Sequence, residues 1–322
     1  METGLVYAVL LDRKGSGREL SWAEVKSWQP DQGILWLHFD YDSTNTVEWL
    51  QQDSGLTATA IETLSAKTTR PCVMTVDQGL MLAMYGIERK SKPRAKDMIA
   101  IRIWAEENRI ISTGRRKLLS EDDLLSRLRS GFGPRGTAAL LMSLADLLVL
   151  RMCDRAEDFE EKIDDLENLL LDKGGSELSS LLVRLRKRTI VLRRYLCLQR
   201  EVLGRLQQES LSWFDEHSHA LLGEVNDRLQ RHIDDIDAVR ERAAIAQEEL
   251  LSRTSDQLNS RMYVLSVVAA VFLPLSFLTG LFGINVGGIP WGQSSLGFIA
   301  FCILLVVALA GQVALFYWKK WL

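Results

Sequence analysis

The chain has 322 residues, 25% of them charged and 47% apolar, with six prolines and a formal net charge of −3. All but two of the charged residues fall before position 262, and the 57 residues from Met262 to Trp318 hold no Asp, Glu, Lys, Arg or His. That split excludes a disordered or collagen-like chain and an ordinary soluble enzyme, and the 37 basic against 42 acidic residues of the charged part argue against nucleic acid as a partner.

Leu5–Leu11 is an apolar run preceded by Glu2 and followed by Asp12, with no basic stretch before it. It reads as a first β-strand and not as a signal peptide. Residues 1–132 follow as a mixed α/β domain. Strands are predicted at Leu5–Leu11, Ile34–Phe39, Val73–Val76, Leu80–Ile87, Met98–Ala105 and Arg109–Ser112, and helices around Thr46–Asp53, Thr57–Ser65 and Ser120–Ser130. The basic stretch Arg89–Lys96 reads as a solvated hairpin loop between two strands. Gly131-Phe-Gly-Pro-Arg-Gly136 marks the domain end. Cys72, Cys153, Cys197 and Cys302 form no CxxC pair or zinc cluster, which suggests a reducing compartment.

Residues 133–261 read as a helical hairpin and stalk. One helix runs from Thr137 to about Asp172, Gly174-Gly175 turns the chain, and a second helix reaches about Gln208. A third starts near Asp215 and meets no strong breaker before Pro274. A helix of that length implies a bundle or stalk. Residues 151–175 hold nine acids and four bases, whereas residues 181–200 hold seven bases, among them Arg184, Arg186, Lys187, Arg188, Arg193 and Arg194, and no acid. Antiparallel docking is expected to set these charges opposite each other. Two readings follow: mutual solubilisation of two surface helices, or an acidic helix that gathers cations.

No nucleophile–base set, phosphate loop or zinc-protease motif is present, so the chain reads as a non-enzyme. His217 and His219, beside Asp215 and Glu216, have the residue types of a Zn²⁺ site. Two residues apart on a helix they point to different faces, which favours a surface loop pair. His232 with Asp235 reads as an exposed contact within one helix, and His38 as a packed residue in a strand.

Met262–Phe282 is 21 residues without charge, and residues 296–318 form a second such run. At ~1.5 Å per residue each crosses a hydrocarbon core of ~30 Å. Gly283, Gly287, Gly288, Pro290 and Gly292 make residues 283–295 an outer loop, and 319–322 a short tail. Arg261 precedes the first span and Lys319–Lys320 follow the second, which puts both termini in the cytoplasm. Trp291, Tyr317, Trp318 and Trp321 suit the membrane interfaces. Two spans enclose no useful pore, so transport requires several copies. Ser266, Ala269, Ala270 and Gly280 permit close helix contact, and Pro274 predicts a bend compensated by Ser276 or by water.

At the outer end of the first span stands Gly283-Ile284-Asn285. Two readings stay open. A ring of carboxamides and carbonyls there suits a hydrated divalent cation, and a Gly/Asn pair also suits the C-cap of a helix.

Two C-terminal spans joined by a Gly-x-Asn loop, a very long preceding helix and the Lys-Lys-Trp-Leu ending resemble the CorA superfamily of divalent-cation transporters, and within it the bacterial zinc-transporting branch. Trp36-Leu37-His38, Thr69-Arg70-Pro71, Ile110–Thr113 with Arg116-Lys117, Arg193-Arg194-Tyr195 and above all Val271–Asn285 with Gly287–Pro290 carry the resemblance, which spans the whole chain. It implies an α+β membrane protein of the bacterial inner membrane, assembled as a funnel-shaped homopentamer. The first span would line the pore and the second would lie outside it. Asn285 would form the entrance ring, followed inward by Ser276, Leu273, Leu265, Met262 and Asn259. Helical spacing independently puts positions 262, 265, 269, 273, 276 and 280 on one stripe, with Ala269 and Gly280 its small members. Steps of seven continue it to Ser255, Glu248 and Glu241, two acids that would face the funnel as metal-attracting rings or simply sit on a charged surface. Zn²⁺ is the implied cargo, with Co²⁺, Ni²⁺, Cd²⁺ or Mg²⁺ as further ions, protons as the coupled species, and no resident cofactor. The chain departs from the magnesium pattern by Ile284 and by a loop without acids. The spans hold no carboxylate or histidine to carry a proton.

Overall fold

The computed structural model describes residues 4–68, 70–76, 79–89, 98–172, 176–283 and 296–319. They divide into two compact units, residues 1–247 and residues 248–322.

In the first unit one mixed sheet carries seven described strands, β1 (Leu5–Leu11), β2 (Gly17–Glu19), β3 (Ile34–Asp40), β4 (Cys72–Val76), β5 (Gly79–Ile87), β6 (Met98–Glu106) and β7 (Arg109–Gly114), in the order β2-β1-β3-β7-β6-β5-β4. β3 and β7 run parallel at the centre, and every other neighbouring pair is antiparallel. The sequence of β3, Ile-Leu-Trp-Leu-His-Phe-Asp, is buried on both faces up to Asp40, as a central strand requires. Around it lie α1 (Trp22–Lys26), α2 (Thr44–Gln52), α3 (Ala58–Ser65) and α4 (Leu119–Arg129). Phe39 stacks on Trp49 at 4.7 Å and Trp22 meets both edge-on, which closes the core on one face of the sheet.

The six predicted strands and three predicted helices are present, with ends shifted by one or two residues. β2, α1 and a single 3-10 turn at Pro30–Gln32 are additions. Each is too short to carry a periodic pattern. α1 is started by a capping box, in which the Ser21 hydroxyl accepts from the Glu24 amide and the Glu24 carboxylate accepts from the Ser21 amide. The predicted loop at Arg89–Lys96 lies, but for Arg89, outside the described residues, as does the Gly174-Gly175 turn.

Three long helices follow: α5 (Thr137–Asp172), α6 (Ser176–Leu206) and α7 (Glu216–Phe282). Their buried positions alternate in steps of four and three. On α5 these are Met152, Ala156, Phe159, Ile163, Leu166 and Leu170, and on α6 Leu178, Leu182, Leu185, Thr189, Leu192 and Leu196. On α7 the stripe includes Leu222, Val225, Leu229, Ile236, Val239, Ala243 and Ala246. A sustained seven-residue repeat of this kind is the seam of a coiled coil.

The charges do not pair as the sequence suggests. Among the described residues no ion pair joins α5 to α6. Acids of α5 meet arginines of α7 instead: Arg242 holds Asp164 at 2.6 Å and also Glu167, and Arg228 holds Asp146. The basic α6 reaches α7 as well, through Arg193 on Asp237 at 2.6 Å. α5 packs on α6 along this seam, and Asp146, Asp164 and Glu167 of α5 and Arg193 of α6 pair with residues of α7.

In the second unit the last part of α7 packs beside α8 (Gly297–Trp318). Both segments have the length and hydropathy of a membrane span. Phe282 and Phe301 meet with ring centroids 5.0 Å apart. α7 runs through Pro274 without a break, and the Thr279 hydroxyl donates to the Ser276 carbonyl at 3.0 Å.

Candidate functional site

Within the second unit α7 has two unlike faces. Val267, Ala270, Val271, Pro274, Leu275 and Leu278 are partly covered, at the spacing of one helix face. The partly covered residues of α8 are Gly297, Ala300, Phe301, Cys302, Leu305, Ala308 and Gln312, also on one side of the helix. Met262, Leu265, Ala269, Leu273, Ser276 and Gly280 lie on the other side of α7 and are all exposed, as is Asn259. Leu273 is 72% exposed and Leu265 68%. The stripe read from the sequence is therefore one face in the structure, turned away from α8. It is apolar at Met262, Leu265 and Leu273, small at Ala269 and Gly280, and polar only at Ser276, the composition of a hydrophobic constriction.

α7 ends at Phe282. The Gly283 amide donates to the carbonyls of Thr279 at 3.0 Å and Gly280 at 3.2 Å and closes the last turn. Gly283 thus acts as a helix cap, one of the two readings given to this segment. Ile284 and Asn285 lie outside the described residues, as do the rest of the loop and its Trp291.

Glu241 is exposed on the side of α7 opposite its buried stripe. Asp227 and Asp234 precede it in steps of seven and are exposed too. Glu248, one step further in the sequence, is exposed in the second unit. Sequence reasoning named Glu241 and Glu248 as candidates and did not name Asp227 and Asp234. The seven-residue register that led to the first two, carried two steps further back, reaches the others.

The other candidate ligands are engaged elsewhere. Asp215 caps α7: its Oδ1 accepts from the Ser218 amide at 2.8 Å and from the Ser218 hydroxyl at 2.5 Å, bonds that hold its carboxyl below the usual range. His219 packs edge-on against Phe214, with ring centroids 5.0 Å apart. His217 and His219 therefore lie on α7 and not on a surface loop, the first exposed and the second half-buried. His232 is largely covered, not exposed, and its Nδ1 lies 3.5 Å from Asp235. Burial pushes the Cys153 thiol up to about 12, far from the thiolate a metal needs. Among the described residues no three His, Cys, Asp or Glu side chains are grouped to hold a metal ion.

One buried polar cluster remains. His38 Nδ1 lies 2.8 Å from Ser112 Oγ and 3.0 Å from Glu121 Oε1. Tyr7 donates to the same carboxylate oxygen at 2.9 Å and stacks on the imidazole at 4.9 Å. Trp36 Nε1 donates to Ser112 Oγ, and the Leu118 amide donates to Glu121 Oε2. A catalytic relay needs the two imidazole nitrogens to serve different partners. Here one nitrogen faces both the hydroxyl and the carboxylate, and His38, Ser112 and Glu121 are all buried. The cluster ties α4 to the sheet, which agrees with the packing role expected of His38.

The comparisons with known proteins agree with this architecture. The CorA-like Mg2+ transporter protein family matches residues 31–320. The Zinc transport protein ZntB of Yersinia enterocolitica serotype O:8 is 36% identical over 317 residues, which cover 98% of this chain and 96% of that protein. Among solved structures, that of the full-length CmaX protein superposes with a TM-score of 0.87 at 31% identity, covering 100% of this chain and 99% of CmaX. The CorA magnesium transporter of Methanocaldococcus jannaschii shares the fold, with a TM-score of 0.82 at 18% identity and cover of 98% and 99%. A match over nearly the whole chain, together with the two spans and the long helix that feeds the first of them, places this chain in the CorA-like family.

Proposed function

We propose that this chain carries Zn²⁺ across the bacterial inner membrane, as a ring of five copies with the exposed face of α7 around a common axis. Divalent-cation transport is the activity of the CorA superfamily, and the zinc assignment is supported by the relatives named ZntB at about one-third identity. The observation that carries the pore assignment is the exposed stripe from Met262 to Gly280, which α8 leaves uncovered. Two spans of one chain provide a single wall, and the uncovered face is the one left for the axis. Leu273 and Leu265 would form constrictions, Ser276 a polar step, and Asn285 the outer ring.

Below the membrane, Glu248, Glu241, Asp234 and Asp227 would repeat as acidic rings at ~10.5 Å intervals, seven residues at ~1.5 Å each. Such rings raise the local concentration of a cation without binding any one ion tightly. Import needs no nucleotide, because a divalent ion entering an inside-negative cell gains about 4.6 kcal/mol per 100 mV. Proton coupling is part of the proposal, and the described spans give it no titratable relay, so the acids of the cytoplasmic part or the ion's hydration shell must supply it.

A magnesium reading is favoured by one observation, the absence of soft ligands on the stripe apart from Met262. Uptake of radioactive ⁶⁵Zn²⁺ into proteoliposomes tests both. Zinc flux that rises with an inward proton gradient and is not displaced by excess Mg²⁺ is the expected result. Displacement by Mg²⁺ establishes the other reading, and equal flux with and without the gradient removes proton coupling.

A further inference from the structure

Pro274 stands inside α7, in the part that has the hydropathy of a membrane span. A proline has no backbone N–H, so the carbonyl four residues before it, that of Ala270, loses its helical donor, and the ring pushes it aside. In hydrocarbon no water replaces that donor, and such carbonyls are served by neighbouring helices or side chains. The Thr279 hydroxyl serves a different carbonyl, that of Ser276.

A second unmet group lies on α8. Gln312 is the only carboxamide of that helix, and its Oε1 is shielded from solvent and meets no donor. A polar atom buried in this way is costly. The two helices meet at Phe282 and Phe301, and α8 turns back along α7 from that contact. Val271 and Gln312 each lie eleven residues inward of it, about 16 Å at ~1.5 Å per residue. Gln312 thus stands at the level of the Ala270–Pro274 turn. Helical side chains lean toward the N-terminus of their own helix, which for α8 is the direction from Val271 toward Pro274. Ala270, Pro274 and Gln312 are all partly covered, on the sides of the two helices that carry Val271 and Phe301.

We propose that Gln312 is a positioning residue for the first span: its amide N–H2 donates to the Ala270 carbonyl that Pro274 leaves open, and so pins α8 to this turn of α7. Turned end for end, a carboxamide keeps its outline and puts a donor where an acceptor stood. The neighbouring carbonyls at this level of α7 have backbone amides four residues on, so Ala270 carries the acceptor with room for a further donor. One contact then satisfies two groups that are each expensive alone. Leu273, on the exposed face, adjoins Pro274, so the contact fixes the backbone of that constriction from behind. This last consequence rests on the pore reading given above, whereas the hydrogen bond itself does not.

The test is a double-mutant cycle on the full-length protein in detergent micelles. Gln312→Met keeps the length of the side chain and removes the amide, and Pro274→Ala returns the backbone N–H to the Ala270 carbonyl. Thermal midpoints are read by circular dichroism, which also shows that each variant is folded, and zinc flux is read in proteoliposomes. Gln312→Met is expected to lower the midpoint by about 2–4 °C, the shift expected for one lost interhelical hydrogen bond. In the Pro274→Ala background the same change is expected not to lower it, because the carbonyl no longer needs the amide. Pro274→Leu, which also returns the N–H, serves as a second background. A Gln312 without a partner predicts the opposite sign in the wild type, since Met is the cheaper residue in hydrocarbon. A raised or unchanged midpoint for Gln312→Met therefore overturns the proposal, and so does an equal lowering with and without the proline. On the pore reading Gln312→Met also changes zinc flux several-fold, and the double variant carries the flux of Pro274→Ala alone. A wild type without flux removes the pore reading and leaves the midpoints to decide the hydrogen bond.

Discussion

Glu121 accepts hydrogen bonds in the core of the α/β domain from Tyr7 and the Leu118 amide, and its Oε1 lies 3.0 Å from His38 Nδ1. A carboxylate 3.0 Å from His38 Nδ1 requires a proton on that nitrogen, and the Ser112 proton is then directed to the Leu37 carbonyl at 3.2 Å. Burial holds the His38 imidazolium below its usual range, against the pull of Glu121 and Asp40 and with a small push from Lys117. The sign of the pH effect follows. The unfolded chain takes up this proton near the ordinary value of 6.5 and the folded chain only at lower pH. Stability is therefore full above that value and declines as pH falls toward the folded pKa, by at most about 1.4 kcal/mol per pH unit. Denaturant titration of the full chain in micelles at several pH values measures this, and His38→Asn, which keeps a donor but does not titrate, is expected to flatten the decline. Tyr7→Phe removes one donor from a buried acceptor and is expected to cost about 1–3 kcal/mol. His38 was legible as a packed strand residue. Its partner Glu121 was not, because a Glu three residues into a helix reads as solvated surface until the sheet covers it.

Helix by helix, the long elements were the most legible part of the chain. α5, α6 and α7 were foreseen to within a few residues, because uninterrupted apolar spacing leaves no other structure open. The pairing of their charges was not. Net charge along a helix says nothing of which flank carries it, and the flanks of α5 and α6 turn out to meet α7. The energy of this layer lies in its seam. Leu229 and Leu182 are fully buried, so Leu229→Ala or Leu182→Ala is expected to cost about 2–5 kcal/mol in thermal or denaturant unfolding. Arg193→Met breaks a pair about one-third exposed on each side and is expected to cost only about 0.2–1 kcal/mol. The contrast between the two substitutions, measured in one background, separates hydrophobic packing from charge as the source of stability.

For the whole molecule, the decisive pattern is a charge-free segment that the sequence marks as two spans and that the structure sorts into covered and uncovered faces. The stripe was legible because six positions repeat at helical spacing. Which face turns from α8 follows only from packing, in which Phe301 meets Phe282 and the side of α7 that carries Val271, Pro274 and Leu278 is partly covered. The account is tested most directly by a cysteine scan of residues 262–280 in a chain whose four native cysteines are replaced by serine, with metal flux into proteoliposomes read before and after a charged thiol reagent. Block of flux is expected at positions 265, 269, 273, 276 and 280, and none at 267, 271, 275 and 278. Block at the α8-facing positions, or at positions along α8 itself, would contradict the assignment of the water-filled path to the exposed face of α7.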